Sequence, residues 1–198
     1  MKKVLAIGAH PDDIEIGCGG TLLRMKELGW EISLLIATDG SNWTLKNKEV
    51  RKIEQEQSSY FLKAQKTYYL DYKDGSLMVK PEIIDQISEI VEFENPDIIF
   101  IQYHNDTHQD HRAIHELSMS ACRRRTNILE YQSVTSVDFQ ASIFFDISEN
   151  FVQKIELLDC FKSQVSKYEN RNESLKKRLK VMGSSQGNNI GVDFEPQK

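Results

Sequence analysis

Cysteine is scarce in this 198-residue chain, and the three present, Cys18, Cys122 and Cys160, are odd in number and far apart. No disulfide framework follows from them, no Cys-x-x-Cys pair suggests a structural zinc site, and a reducing compartment fits best. Basic charge is not in excess either. The net charge is -5 and the pI about 5.6, which removes the electrostatic reason to expect nucleic acid. The late cluster Lys176, Lys177, Arg178 and Lys180 reads as a solvated helix face. No apolar run approaches membrane-spanning length. The first strand starts almost at Met1, which on this reading leaves no room for a secretory leader. Neither an internal repeat nor a linker calls for a second domain. The expectation is one cytoplasmic domain over 1–198, with neither nucleic acid nor a membrane among its partners.

Hydrophobic residues make up 39% of the chain and charged residues 28%, a balance that suits an α/β domain with a sizeable core. Apolar runs at 3–9, 31–38, 67–70 and 97–102 read as strands, the first of the kind that makes a buried parallel strand and the fourth also buried. Segments at about 17–28, 48–64, 81–94, up to about 123 and 151–162 read as helices between and after them. Further strands are expected at 133–137 and 142–147. The polar segment 163–182 is expected to be helical in its second half, and the tail 183–198 is rich in Gly, Ser and Asn. This alternation predicts a Rossmann-like, mostly parallel sheet with helices on both faces.

The stretch that organises the rest is Ala9-His10-Pro11-Asp12-Asp13, directly after the first strand. An imidazole and two carboxylates arrive together at the strand's carboxyl end, the edge where open α/β sheets hold ligands. The bland alternative is that Asp12 or Asp13 merely caps the next helix. The following Gly17-x-Gly19-Gly20 is neither a dinucleotide fingerprint nor a Walker loop, and close backbone packing explains it better. A second polar cluster, Tyr103 to Arg112, follows the fourth strand, and four of the five histidines, 104, 108, 111 and 115, fall within twelve positions there. If strands one and four are neighbours, the two clusters meet. Two imidazoles and a carboxylate then form a metal site with open positions, as catalytic zinc needs. A spare carboxylate, Asp12, and a spare histidine, His108, are left for acid–base work. Spacing alone leaves the choice of histidines open. His104 and His115 read as structural, and Arg51 with Glu54 as a surface ion pair.

On Ala9-His10-Pro11-Asp12-Asp13 and His108-Gln109-Asp110-His111, supported by Thr38-Asp39-Gly40 and Arg51-x-x-Glu54, the sequence resembles the PIG-L/LmbE-like de-N-acetylases. Gly187 to Val192 is also similar to that family. The resemblance implies a zinc hydrolase that removes the acetyl group from an N-acetylglucosamine-type sugar or conjugate, with Fe2+ or another divalent ion as the possible metal in the cell. It implies that His10, Asp13 and His111 bind the metal and that Asp12 is the general base. His108 stabilises the tetrahedral intermediate, Asp110 orients His108, and Arg51 holds substrate. It also implies a homo-oligomer. The chain departs from the family at Ile14, Ser41 and Gln109 and in its ending after Val192. Asn42, Trp43 and Tyr103 are candidates for a wall against a sugar. Two other readings compete: a non-heme iron oxygenase using the same two-histidine, one-carboxylate set, and a non-catalytic Rossmann-like binding module.

Overall fold

The structure is a computed structural model that describes residues 1–41, 48–125 and 127–164. Asn42, Trp43, the basic cluster at 176–180 and the whole tail, including 187–192, lie outside the described residues. Five strands, β1 (Lys3–Gly8), β2 (Glu31–Thr38), β3 (Lys66–Tyr72), β4 (Ile98–Gln102) and β5 (Ile128–Tyr131), form one sheet in the order β3-β2-β1-β4-β5. Every pairing in it is parallel. Helices α1 (Asp13–Glu27), α2 (Lys48–Phe61), α3 (Pro81–Glu94), α4 (Gln109–Ala121) and α5 (Phe151–Leu158) surround it.

Alternation along the central strands divides the core into two layers. Leu5, Ile7, Leu35 and Ile99 pack with Ile83, Ile87 and Val91 of α3 and Ile114 and Leu117 of α4. Val4, Ala6, Ile32, Leu34 and Ile36 face the other way, toward Ile14, Cys18 and Leu22 of α1 and Leu157 of α5. These strands are buried on both faces, which is why they read as continuous apolar runs.

β1 and β4 are hydrogen-bonded neighbours, with Val4 beside Ile98 and Ala6 beside Phe100. The chain reverses direction across the sheet at this pair, so a crevice opens beyond their carboxyl ends. Both histidine-bearing loops leave from that edge. The Gln102 side chain ties them, its Oε1 accepting the Ala9 amide at 2.9 Å.

Three elements differ from the sequence expectation. The helix expected at about 17–28 begins at Asp13, so Asp13 is its first residue rather than part of a preceding loop. Residues 133–137 are not a strand. Ser133 bonds Asp106 and Ser136 through its hydroxyl, and such side-chain bonds offer the backbone an alternative to a ladder. Residues 142–147 do not pair as a strand either: Phe145 packs on Phe100 with ring centroids 6.1 Å apart, covering the sheet instead of extending it. The fifth strand is instead Ile128–Tyr131, only four residues long and too short for its period to register.

Gly17 and Gly19 of α1 do serve close packing. A Cβ on Gly17 would stand 2.2 Å from Cδ2 of Tyr131 and 3.0 Å from the Gln132 carbonyl oxygen. Tyr131 is fully buried and donates its hydroxyl to the Ile7 carbonyl at 2.9 Å, so it has no room to retreat. Gly17→Ala is therefore expected to destabilise the fold by about 1–3 kcal/mol, measured as a lowered midpoint in urea with an unchanged slope.

Candidate active site

Pro11 and Gly40 bring the ends of β1 and β2 into contact, and the Gly40 backbone at φ +57 leaves no space for a Cβ beside the Pro11 ring. Thr38 closes the same junction, donating both its amide and its hydroxyl to the Ala9 carbonyl at 2.8 and 2.9 Å. The chain then turns through Asp12, which sits in the left-handed region at φ 98 in the N-cap position of α1 and makes no side-chain capping bond. The capping interpretation of Asp12 is thereby excluded. Its backbone is instead held in a conformation uncommon outside glycine, of the kind found at functional sites.

Asp13, one residue on, turns into the protein. Its Oδ2 accepts the His10 amide at 2.7 Å and lies 3.1 Å from His10 Nδ1. Its Oδ1 lies 3.3 Å from His111 Nε2. His111 Nε2 in turn stands 3.3 Å from His10 Nδ1. One carboxylate and two imidazole nitrogens, from loops about a hundred residues apart in sequence, thus face one another at 3.1–3.3 Å.

The outer nitrogens are also accounted for. His10 Nε2 lies 3.1 Å from both Asp110 Oδ2 and Asp74 Oδ1. His111 Nδ1 lies 3.2 Å from Asp106 Oδ2 and 3.3 Å from the Thr135 hydroxyl. Metal-binding histidines characteristically give their second nitrogen to a carboxylate, which fixes tautomer and ring orientation. Tetrahedral ligands at about 2.0–2.1 Å from zinc stand about 3.3–3.4 Å apart, close to the spacing seen. The donor set therefore fits a divalent cation, with His10, Asp13 and His111 as the residues that would hold it. A donor atom of His108 also lies within 4.8 Å of one each from His10 and His111.

The electrostatics agree with a cation site. Burial alone would lower the His10 imidazole, but the charge of Asp13 and the bonds to Asp110, Asp13 and Asp74 lift it well above its ordinary value. Burial likewise opposes His111, yet Asp13 and Asp106 raise it to about 9. Asp13 is held well below the carboxylate range, since the two histidines outweigh its burial. Asp12 is pushed up to about 6 by burial, with Arg51 pulling against it. Five carboxylates, Asp12, Asp13, Asp74, Asp106 and Asp110, crowd around two imidazoles, an arrangement that attracts positive charge.

His108 occupies the N-cap of α4, its Nδ1 accepting the Asp110 amide at 3.2 Å. The neutral ring then carries its proton on Nε2, as a donor. Burial, reinforced by His10 and His111, lowers its pKa, in keeping with the cost of a cation at a helix N-terminus.

Two expectations are corrected here. The Asp110 carboxylate does not orient His108. It bonds His10 and accepts the Gly75 and Leu77 amides at 2.7 and 3.1 Å, and only the Asp110 backbone reaches His108. Arg51 and Glu54 are not a surface pair: both are buried, 3.5 Å apart. Arg51 bonds the Pro11 carbonyl, lies 3.2 Å from Asp12 Oδ1, and covers the Phe161 ring. Glu54 accepts the Ser163 amide and hydroxyl, both at 2.7 Å. Asp74 and Asp106 were not among the expected site residues. Asp106 lies in the polar cluster after β4, a signal available in the sequence. Asp74 belongs to a turn 64 positions from its imidazole and had none; the Asp39 carboxylate sets its position by accepting its amide at 3.2 Å.

An open cleft of about 430 Å³ exposes this constellation to solvent, with Asp12, Arg51, Asp74, Gln109, His108 and Thr135 on its walls. That volume suits a small-molecule ligand. Tyr103 is not on its wall; its ring packs on His104 and Phe139 at centroid distances of 4.2 and 4.8 Å.

Similarity to known proteins points the same way. The family model described as PIG-L: GlcNAc-PI de-N-acetylase matches residues 5–122. The Escherichia coli protein described as uncharacterized deacetylase YaiS is 32% identical, over 82% of this chain and 91% of its own length. Diacetylchitobiose deacetylase of Thermococcus kodakarensis is 29% identical, over 83% of this chain and 70% of its own. Among solved structures, N,N'-diacetylchitobiose deacetylase from Pyrococcus horikoshii superposes with a TM-score of 0.82 at 25% identity, covering 98% of this chain and 81% of that one.

Proposed function

The chain belongs to the PIG-L family, and from that membership we propose that it is a zinc-dependent N-deacetylase acting on an N-acetylglucosamine-type sugar or sugar conjugate. The observation that carries the reading is the mutual approach of His10, Asp13 and His111 at 3.1–3.3 Å, with Asp12 beside them unused for capping. A zinc ion bound there would lower the pKa of its water to about 7 and polarise the amide carbonyl.

The remaining chemistry belongs to the side chains. Asp12 accepts a proton from the attacking water, held in place by Arg51 through one carboxylate oxygen. His108 donates from Nε2 to the carbonyl oxygen as negative charge develops on it, its tautomer fixed by the Asp110 amide. The bond from the carbonyl carbon to nitrogen breaks, and the amine leaves with the proton that Asp12 took up. Water and amide are consumed; acetate and a free amino sugar are formed. Asp110 and Asp106 act through the imidazoles and are positioning residues. Arg51 is assigned to Asp12 in place of the substrate, because its guanidinium is buried and already engaged on both sides.

The substrate class rests on the named activity of the diacetylchitobiose deacetylases and on the size of the cleft. The test is an acetate- and amine-release assay on N-acetylglucosamine, N,N'-diacetylchitobiose and nucleotide- or lipid-linked relatives, with metal content measured on the same sample. Stoichiometric acetate and amine are expected from at least one of them. Oxygen consumption without acetate would favour the iron oxygenase, and sugar binding without cleavage the non-catalytic module.

A further inference from the structure

All five histidines gather near one sheet edge, and two of them, His104 and His115, take no part in the cleft chemistry described above. We propose that His104, His115 and Glu130 form a second divalent-cation site, suited to zinc or a similar borderline ion and separate from the one in the cleft.

Three consecutive elements supply these residues. His104 follows β4, His115 lies on α4, and Glu130 belongs to β5, opposite Ile101 in the parallel register. A single carboxylate oxygen, Glu130 Oε1, stands 3.2 Å from Nδ1 of His104 and 3.2 Å from Nδ1 of His115. One donor atom from each of the three residues lies within 4.8 Å of the other two. The set is that of two imidazoles and one carboxylate, which borderline ions favour over the all-oxygen surroundings of Mg2+ or Ca2+.

The supports resemble those of a built site. His115 Nδ1 lies 2.9 Å from the Gln102 carbonyl oxygen and 3.2 Å from Glu130 Oε1, so its N–H is directed at these two acceptors, and the lone pair that would meet an ion is the one on Nε2. Gln102 is the residue whose side chain ties β4 to Ala9. The His104 ring rests on Tyr103 at 4.2 Å between centroids, and Tyr103 is itself wedged edge-on against Phe139. His104 is therefore oriented although 56% of its side chain is exposed. Glu130 is 33% exposed, so it and His104 have the freedom to adjust around an ion.

The two ring centroids are 5.5 Å apart, so both imidazoles can approach one ion. The neighbouring His111 does not share the ion, since both its nitrogens are committed to His10, Asp13, Asp106 and Thr135.

The experiment is equilibrium dialysis of the full chain against ZnCl2 alone, in a buffer that does not bind zinc, with stoichiometry from elemental analysis. The parent protein is expected to bind two equivalents. His104→Ala and Glu130→Gln should each lose one, with affinity for it lowered at least tenfold. His111→Ala should lose the other and keep the equivalent that responds to His104. Circular dichroism identifies any variant that fails to fold, and exposed His104 and Glu130 are the substitutions least prone to that. A single equivalent in the parent overturns the second site, as does a second equivalent whose affinity is unchanged in both His104→Ala and Glu130→Gln. No substrate is needed, so failure of the deacetylase reading, seen as no acetate from any sugar, is a separate result.

Discussion

Asp12→Asn is expected to keep the metal content of the parent and to release acetate about 10²–10⁴-fold more slowly. Asparagine has the same shape as aspartate and tolerates the positive φ of 98 at this position better than most residues. Its amide oxygen still accepts from Arg51, which lies 3.2 Å from Asp12 Oδ1. The variant therefore preserves the loop and removes only basicity. Asp12 does not lie in the 3.1–3.3 Å cluster of His10, Asp13 and His111, so zinc retention should be unaffected. The measurement is kcat for acetate release at saturating substrate beside zinc per chain. A rate within a few-fold of the parent would remove Asp12 from the role of base. Loss of zinc together with rate would make it a ligand.

His111→Ala is expected to weaken zinc binding by more than about 100-fold and to bring acetate release to background. Outer residues around a metal already cost 10–100-fold when removed, and a direct ligand costs more. His111 is also the link between the two loops: it faces Asp13 and His10 with one nitrogen and Asp106 and Thr135 with the other. Its loss leaves Asp106, now held far below the ordinary carboxylate range by His111, Ser133, Thr135 and a backbone amide against the effect of burial, with fewer donors. Zinc per chain after dialysis and acetate release in the same preparation make the test. The parent protein stripped with a chelator should match the variant, and readdition of zinc should rescue only the parent. A variant that held zinc normally would show that the geometry at 3.1–3.3 Å describes an ion-paired cluster instead of a metal site.

Much of the candidate site was legible in the sequence. His10 and Asp13 are three residues apart on one turn, and His108, Asp110 and His111 share the first turn of one helix; such neighbourhoods follow from local backbone alone. Where the prediction failed, the pairing crossed elements. Asp110 is two residues from His108, yet its carboxylate reaches His10, a hundred positions away, because α4 starts with that side chain turned under the edge of β1. Arg51 and Glu54, one turn apart, suit a solvated helix face by spacing; α2 instead presents that turn to Pro11, Asp12 and Ser163.

The amino-acid sequence by itself determined the parallel α/β fold, the strand ends at which the two polar clusters emerge, and the residue types able to hold a divalent ion. Those properties arise from periodicity and from bonds a few residues long, so they are written along the chain. Only the tertiary structure decided which carboxylate serves which imidazole, that Asp74 belongs to the site, that Arg51 faces inward, and that His104 and His115 meet over Glu130. These are contacts between segments brought together by the β3-β2-β1-β4-β5 strand order. No local pattern carries that information.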